Sequence, residues 1–598
     1  MFGTERIVRL VRTNMTVRRT TQRRGSPVDE EEGVKKLIND VGAVVDDMID
    51  GLIRSVDGLS RIEGERVVVR RDLDAVRSSG QVTLVSGGGS GHEPAHAGYV
   101  GAGMLTAAVC GDVFTSPSTD AVLAAIRAVG GPAGVLLIVK SYTGDRLNFG
   151  LAAEIARTEG IPVEMVVVAD DVSLATGTAN AGRRGIAGTV LVHKVAGAAA
   201  AAGLPLDEVA ALARRVSDGV GSMGVGLTAC TVPAAGRPSF TLADDEIEFG
   251  LGIHGEAGVR RDRLQPVGAL VSTVAERIFD DRGLAAGDRA VLLVNNLGAT
   301  PAMEMAIVAG EAARAAEARG LRVERMWTGA FLTALDMAGF SLSALAVDDE
   351  LLSYLDAPTT ASAWPTTAAP REIAPAVVVA ARIDETTAGT GQPDAALVAA
   401  IEATARALIA DEARLTALDQ AVGDGDLGLN LARGAEAVLA EIDGYRALGR
   451  SAALRRLSAT VRKTVGGTSG ALYAVGLMRA AAVAEKPETG TALWGEALAA
   501  AAEAISRLGD ARIGDRTMLD ALLPAAEALA SAGTDPRAAH AAAVKAAAAG
   551  AAATAAVASR RGRSSYLGER AVGHPDPGAE AVVVWLAAIG QVLEEEGA

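Results

Sequence analysis

"QVTLVSGGGSGHEPAHAGYVG", residues 81–101, begins as an apolar, β-branched run and breaks off into glycine and histidine. A short run of this kind, closed by a turn signal, reads as a buried strand. In α/β sheets ligands gather at the carboxyl ends of such strands. Three more runs repeat the pattern: "GVLLIVK" (134–140), "VEMVVVADD" (163–171) and "AVLLVNN" (290–296), with helix-like segments between them. From 34 to 355 this alternation predicts α/β layers around a buried, largely parallel sheet.

Further along, the text changes. Residues 356–393 are rich in Pro, Thr and Ala ("DAPTTASAWPTTAAPREIAPA", then "DETTAGTGQPD") and read as a linker. Beyond 394 the strand signal fades into Ala/Leu/Glu/Arg segments (394–413, 429–447, 451–464, 470–486, 490–508, 517–532, 536–560 and 578–596), predicting an all-α domain of about eight helices. Residues 1–33 carry seven arginines in the first 24 positions, then an acidic patch, and read as a disordered basic extension that resembles a transit peptide without a cleavage signal.

Composition narrows the function. At 598 residues the chain is too long for one core. A net charge of −16 argues against a nucleic-acid partner, which needs a basic stripe. The two cysteines, Cys110 and Cys230, form no metal-ligand spacing or disulfide framework, as expected of a cytoplasmic protein. No apolar run of about 18–20 residues is free of charge or glycine, so no membrane partner is expected.

The chemistry-bearing residues cluster at turns. After the Gly-rich stretch come His92, Glu93 and His96; the bare glycines let backbone amides close on an oxygen-rich ligand. No Lys-Ser/Thr follows, so this is not a Walker loop, and a structural turn is an open alternative. "IVKSYTGDRLNFG" (138–150) sets Lys140 and Asp145 at another strand end, and "EFGLGIHGEAG" (248–258) places His254 in a glycine-flanked, accessible turn. "LDQAVGDGDLG" (418–428) holds Asp419, Asp424 and Asp426. Gly423 and Gly425 rule out a continuous helix, so the three carboxylates are expected to curl toward one point. There they repel unless a cation neutralises them, and hard oxygen ligands select Mg²⁺. "GGTSG" (466–470) opens a helix whose amides can receive phosphate.

These motifs, with "CGDVFTSPSTDAV", "VNNLGATP", "GDRTMLDAL" and "YLGERAVGHPDPGA", resemble in order the dihydroxyacetone kinases of the fused, ATP-dependent type, over about 34–598. The resemblance implies a K-type substrate domain of two α/β subdomains (34–355) and an L-type helical-barrel nucleotide domain (394–598). It implies that His254 forms a covalent hemiaminal with the ketone and that His92 and Asp145 are the acid/base pair. Lys140, Gly89, Ser90, Gly91 and Ser116 would contact the substrate. Asp419, Asp424 and Asp426 would bind two Mg²⁺ ions. Leu427, Gly428, Leu429, Asn430, Thr468, Ser469, Gly509, Met518, Arg563, Asp576, Pro577 and Gly578 would line the ATP pocket. It further implies a homodimer through the K-type domain, and a fused chain that needs no phosphoryl-carrier protein. Two departures stand out: Ser141 replaces the Asn common after the strand-end Lys, and Leu427 follows Asp426 where small, polar or His residues are frequent. Substrate choice is therefore less determined than reaction type. The alternatives are a kinase for another small ketose or aldose (erythrulose, glyceraldehyde) and a non-catalytic regulator of the same fold; any FMN-cyclase side activity is not legible.

Overall fold

Buried sheets need apolar side chains on both faces, and the strand runs of the first half supply them. The structure is a computed structural model and describes residues 35–174, 182–238, 240–365, 377, 392–533, 535–559 and 571–595. The N-terminal extension, most of the 356–393 linker and Arg563 lie outside them. The chain divides into two units, Met1–Pro375 and Ala376–Ala598.

The first unit holds two six-stranded sheets. The first comprises β1 (Leu59–Arg61), β2 (Val67–Arg70), β3 (Thr83–Ser90), β4 (Ala107–Val113), β5 (Val135–Lys140) and β6 (Val163–Val168), in the order β1-β2-β4-β3-β5-β6. The second comprises β7 (Gly221–Gly226), β8 (Glu246–Phe249), β9 (Arg260–Arg263), β10 (Arg289–Asn296), β11 (Arg322–Gly329) and β12 (Gly339–Ala346), in the order β11-β10-β12-β7-β8-β9. Helices α1 (Val44–Ser55), α2 (Leu73–Ser78), α3 (Thr119–Val129), α4 (Thr143–Thr158), α5 (Thr189–Ala201), α6 (Leu206–Gly219), α7 (Val267–Arg282), α8 (Ala302–Arg319) and α9 (Asp349–Asp356) surround them.

Alternate residues of each strand serve different cores. On β5, Leu136 and Ile138 face the layer of α5 and α6, while Val135, Leu137 and Val139 face α3 and α4. On β10, Val291 and Leu293 join the same α5/α6 layer, and Leu292 and Val294 pack on α7 and α8. Helix α5 is thus sandwiched between sheets, and Thr189 through Ala200 are all buried. Its sequence is accordingly apolar on most sides, with His193 and Lys194 buried among them, and is not amphipathic.

Several expectations need correction. The first sheet is parallel at its centre (β4-β3-β5-β6), but the second has one parallel pair, β10 with β11, and is otherwise antiparallel. The chain returns from β11 to β12 through a loop, not a crossover helix, and only a helical crossover makes neighbours parallel. The Gly-rich stretch is mainly strand: Gly87, Gly88, Gly89 and Ser90 belong to β3, pair with β4 and lead to a three-residue 3₁₀ turn at Ala97–Tyr99. Glycine is required there by close approach. A Cβ on Gly87 would stand 2.4 Å from the Val109 carbonyl oxygen, and one on Gly89 2.5 Å from the Thr115 nitrogen. Residues 357–364, given to the linker above, pack on the first unit: Ala363 N donates to Gly98 O (3.0 Å) and Trp364 is buried.

The second unit is helical: α10 (Ala395–Ala410), α11 (Glu412–Val422), α12 (Leu427–Ala440), α13 (Ile442–Tyr445), α14 (Arg450–Thr464), α15 (Gly467–Val483), α16 (Thr491–Gly509), α17 (Leu519–Ser531), α18 (Pro536–Ala553) and α19 (Pro577–Glu595). Packing runs α10, α12, α14, α15, α16, α17, α18, α19 and back to α10, closing a ring of eight helices, with α11 and α13 as short connectors. Helix α11 was not read from the sequence as a separate helix. Alanine sets the spacing. Ala539, Ala543, Ala547 and Ala551 form a buried i,i+4 stripe on α18, and a Cβ on Gly550 would stand 1.9 Å from the Asp520 carbonyl oxygen. The ring encloses an apolar cavity of about 490 Å³ lined by Leu397, Leu431, Leu477, Trp494, Leu522 and Trp585, among others. Within α19, Pro577–Glu594 is long and apolar enough by composition to cross a membrane; here it is one stave of the ring.

Candidate functional site

In the first unit, strand ends and one turn bring the chemistry together. His92 follows β3, Lys140 ends β5, Asp145 lies in the first turn of α4, and His254 occupies the turn between β8 and β9. The His92 and His254 rings approach edge to face, with centroids 4.8 Å apart. Phe114 stacks on His92 (5.0 Å, 15°) and meets His254 edge-on at 5.1 Å; Tyr142 meets His254 at 4.7 Å. The glycines make room: a Cβ on Gly88 would stand 2.9 Å from Lys140 Nζ, and one on Gly91 2.8 Å from the Phe114 ring.

Both imidazoles are oriented through Nδ1. His92 Nδ1–H donates to the Thr333 carbonyl (2.7 Å), and His254 Nδ1–H donates to Glu256 Oε1 (2.8 Å). In its neutral form each ring therefore presents its Nε2 as a lone pair. His92 is fully buried, and burial, with the nearby Lys140 charge, holds its imidazole well below the usual range, so it is neutral at pH 7. Burial likewise lowers Lys140, against the opposing pull of Asp145, Glu93 and Glu256. His92 Nε2, Lys140 Nζ and Asp145 Oδ1 are all buried without a protein hydrogen-bond partner. Buried polar atoms ordinarily have partners, so three orphans at one place point to a polar ligand.

Not every residue expected there has a side chain or amide to spare. Gly91 N donates to the Glu93 carboxylate (3.0 Å), and Ser90 Oγ donates to Gly111 O (2.8 Å). Ser116 lies beside the start of α4, its Oγ 2.6 Å from where a Gly144 Cβ would be. Sequence reasoning missed Glu256. Burial raises this carboxyl, but the His254 contact and backbone amides outweigh it and bring it to about 2. Its signal was present, two residues after His254 in the quoted motif. Thr333 and Phe114 carried no comparable signal, because their roles depend on long-range contacts.

In the second unit Asp419 sits in the last turn of α11, and Asp424 and Asp426 lie in the turn to α12. Ligand oxygens from all three fall within 4.8 Å of one another; Asp424 is exposed and the others half-buried. Asp419 Oδ2 accepts from the amides of Asp426 (2.9 Å) and Leu427 (3.1 Å), which fixes it at the N-terminus of α12. The turn demands Gly425, at φ +74°, where a Cβ would also collide with Gln420. A compact all-oxygen, acidic donor set of this kind suits a hard divalent cation.

Around it stand helix N-termini. Leu427, Gly428, Leu429 and Asn430 form the first turn of α12; Thr468 and Ser469 open α15; Asp576, Pro577 and Gly578 open α19. The structure places the Gly466 Cα beside Asn430, and Gly578 beside Met518 at the start of α17; Gly509 ends α16. Asp576 is buried, which raises its carboxyl from 3.8 to about 7.

The comparisons agree with both halves. The Dak1 domain family matches residues 50–363 and the DAK2 domain family residues 421–591. The chain is 46% identical over 592 residues to a putative 3,4-dihydroxy-2-butanone kinase of Solanum lycopersicum, covering 94% of this chain and 98% of that one. It is 44% identical over 578 residues to the triokinase/FMN cyclase of Homo sapiens, covering 94% and 99%. Among solved structures, the dihydroxyacetone kinase of C. freundii in complex with AMP-PNP and Mg²⁺ aligns at 36% identity and TM-score 0.61, covering 94% of this chain and 100% of that one. The chain belongs to the family of fused Dak1–DAK2 dihydroxyacetone kinases.

Proposed function

We propose that this member of the dihydroxyacetone kinase family transfers a phosphoryl group from ATP to a hydroxyl of a small ketose, dihydroxyacetone first. The observation that carries the reading is the pair of imidazoles, 4.8 Å apart, each tied through Nδ1 and each offering Nε2 beside buried Lys140 and Asp145. His254, the more accessible ring, adds its Nε2 to the ketone carbonyl, a reaction open to ketones and aldehydes and closed to glycerol. Neutral His92 and Asp145 form the acid/base pair around the reacting hydroxyl, one of them taking its proton. Lys140, Ser116 and the end of β3 at Gly89 and Ser90 hold substrate oxygens.

Asp419, Asp424 and Asp426 would hold Mg²⁺, two ions by the family resemblance, and the bound ion would offset the charge of the ATP phosphates. The first turns of α12 (Gly428, Leu429) and α15 (Thr468, Ser469) offer amides to phosphate oxygens, with Leu427, Asn430, Gly509, Met518, Asp576, Pro577 and Gly578, and by the family resemblance Arg563, as the other residues of the nucleotide pocket. Because both units share one chain, no phosphoryl-carrier protein is required. A homodimer through the first unit and a cytoplasmic location, consistent with Cys110 and Cys230 not being joined in a disulfide, complete the proposal.

Purified protein given only Mg-ATP and dihydroxyacetone should turn over many times per chain; one product per chain, with ADP retained on gel filtration, overturns the ATP-dependent reading. Crystals soaked with dihydroxyacetone should show continuous density from His254 Nε2 to the ketone carbon, absent in His254→Ala. Free ketone in the wild type together with full kcat in the variant would remove the covalent role. A second reading, a four-carbon ketose, is favoured by the name of the Solanum relative; kcat/KM compared across dihydroxyacetone, glyceraldehyde and both erythrulose enantiomers decides it.

A further inference from the structure

His254 lies in a turn with glycine at 250, 252, 255 and 258, two of them at positive φ (Gly250 +68°, Gly255 +81°). Such a turn has little rigidity of its own, yet a nucleophile must be held in one tautomer and one direction. The groups that hold it come from the segment before α5. Arg184, its side chain 11% exposed, directs Nε (2.8 Å) and Nη2 (2.6 Å) to Asp171 Oδ2. Its Nη2 also donates to the Gly250 carbonyl at 2.7 Å, gripping the start of the His254 turn. Nη1 lies on the other side of that turn: a Cβ on Gly252 would stand 2.6 Å from Arg184 Nη1 and 2.0 Å from Glu256 Oε2. Cation and carboxylate therefore flank one bare Cα.

Asp171 is itself immobilised, its Oδ1 accepting from the Ser173 amide (3.0 Å) and hydroxyl (2.6 Å). Arg183, next in line, pairs with Asp281 on α7 and ties the segment to the second sheet's helices. The buried Tyr142 hydroxyl, with no hydrogen-bond partner in the protein, feels the charges of Glu256, Arg184 and Asp171.

We propose that Arg184, braced by Asp171, is a positioning residue for His254, seating the Glu256 carboxylate that accepts the Nδ1–H and so leaving Nε2 as the lone pair. The inference rests on His254 being the nucleophile. In the step it serves, the Nε2 lone pair forms the bond to the carbonyl carbon and the C=O π pair moves to oxygen, which takes up a solvent proton. The ring becomes an imidazolium whose Nδ1–H stays on Glu256, and the carboxylate balances its charge. A displaced or rotated Glu256 would free the ring to carry its proton on Nε2, where addition is blocked. Arginine suits the task because one planar fork holds the Asp171 carboxylate and the Gly250 carbonyl at once, while its charge acts on Glu256 across the turn.

The test compares wild type, Arg184→Gln, Arg184→Lys, Glu256→Gln and the double variant Arg184→Gln/Glu256→Gln. Arg184→Gln should lower kcat/KM for dihydroxyacetone by about 10–100-fold, the usual cost of removing a group that orients a reacting ligand. KM for Mg-ATP should change by less than about 2-fold, and Arg184→Lys, which keeps the charge without the fork, should recover part of the loss. In the Glu256→Gln background, Arg184→Gln should cost less than about 2-fold, since residues acting through one path are not additive. Additive losses, or a wild-type kcat/KM in Arg184→Gln, overturn the proposal. If Arg184→Gln does not fold, Arg184→Lys alone must show the selective ketose defect or the proposal falls. Soaked crystals separate the levels. Free ketone at His254 in the wild type removes the nucleophile reading and this inference with it. A full adduct in both wild type and Arg184→Gln removes this inference alone.

Discussion

The polar cluster of the first unit and the acidic cluster of the second solve one problem, the cost of gathering charge, in opposite ways. Around His92, Lys140 and Asp145 the protein excludes water, and burial drives His92 to its neutral form. Hydrogen bonds donated to Thr333 and Glu256 orient both imidazoles before any ligand arrives. Asp419, Asp424 and Asp426 instead meet within 4.8 Å at a partly exposed turn, where solvent tempers their repulsion. The first arrangement leaves three buried polar atoms without a protein partner, and the second gathers an all-oxygen donor set that suits a hard cation.

The largest effect should come from breaking the acidic side. Asp424→Asn or Asp426→Asn should reduce kcat at least about 100-fold, because one electrostatic contribution to the transferring group is worth about 2.7–4 kcal/mol. The thermal midpoint in EDTA should stay level or rise, since carboxylate repulsion is relieved. A variant as active as wild type at saturating Mg²⁺ would show that these carboxylates are not the cation site.

Calorimetry sharpens the contrast at a smaller scale. Dihydroxyacetone should raise the unfolding transition of the first unit and Mg-ADP that of the second, each by about 2.7 kcal/mol at a hundred times its Kd. Mg²⁺ alone stabilising the first unit would erase the distinction between prepared and cation-dependent sites.

The last effect concerns Asp576, one of the buried carboxyls of the nucleotide side. Burial, reinforced by Asp520 and opposed by the Ala579 amide and Arg516, raises Asp576 from 3.8 to about 7. Between those values the folded protein keeps a proton that the unfolded chain has lost, so stability falls as pH rises. The contribution is fully present below about pH 4 and gone once pH has passed about 7. Thermal midpoints of the second unit at pH 5 and pH 8 should differ more in wild type than in Asp576→Asn. Parallel midpoints would mean that Asp576 ionises normally.

Local patterns carried much of this molecule. The apolar, partly β-branched run 134–140 reads as a strand buried on both faces, and β5 is one. Gly423 and Gly425 disfavour a continuous helix, and the three aspartates do converge. Other features were hidden because their causes are distant in the chain. "GGGSG" reads as a loop until β4 and Phe114 press against it, and the requirement for a missing Cβ then places it in a central strand. The antiparallel second sheet follows from the loop by which β12 returns beside β10, which no local period encodes.

By itself, then, the sequence determined an α/β half and a helical half and the three-aspartate turn, and singled out His92, Lys140, Asp145 and His254, which the fold brings close together, because periodicity and glycine chemistry act within a few residues. Tertiary structure alone decided which nitrogen of each histidine is available. Thr333 lies 241 residues from His92, and Arg184 reaches Gly250 across 66. A tautomer is set by whichever group faces the other ring nitrogen, and only the folded chain brings that group there.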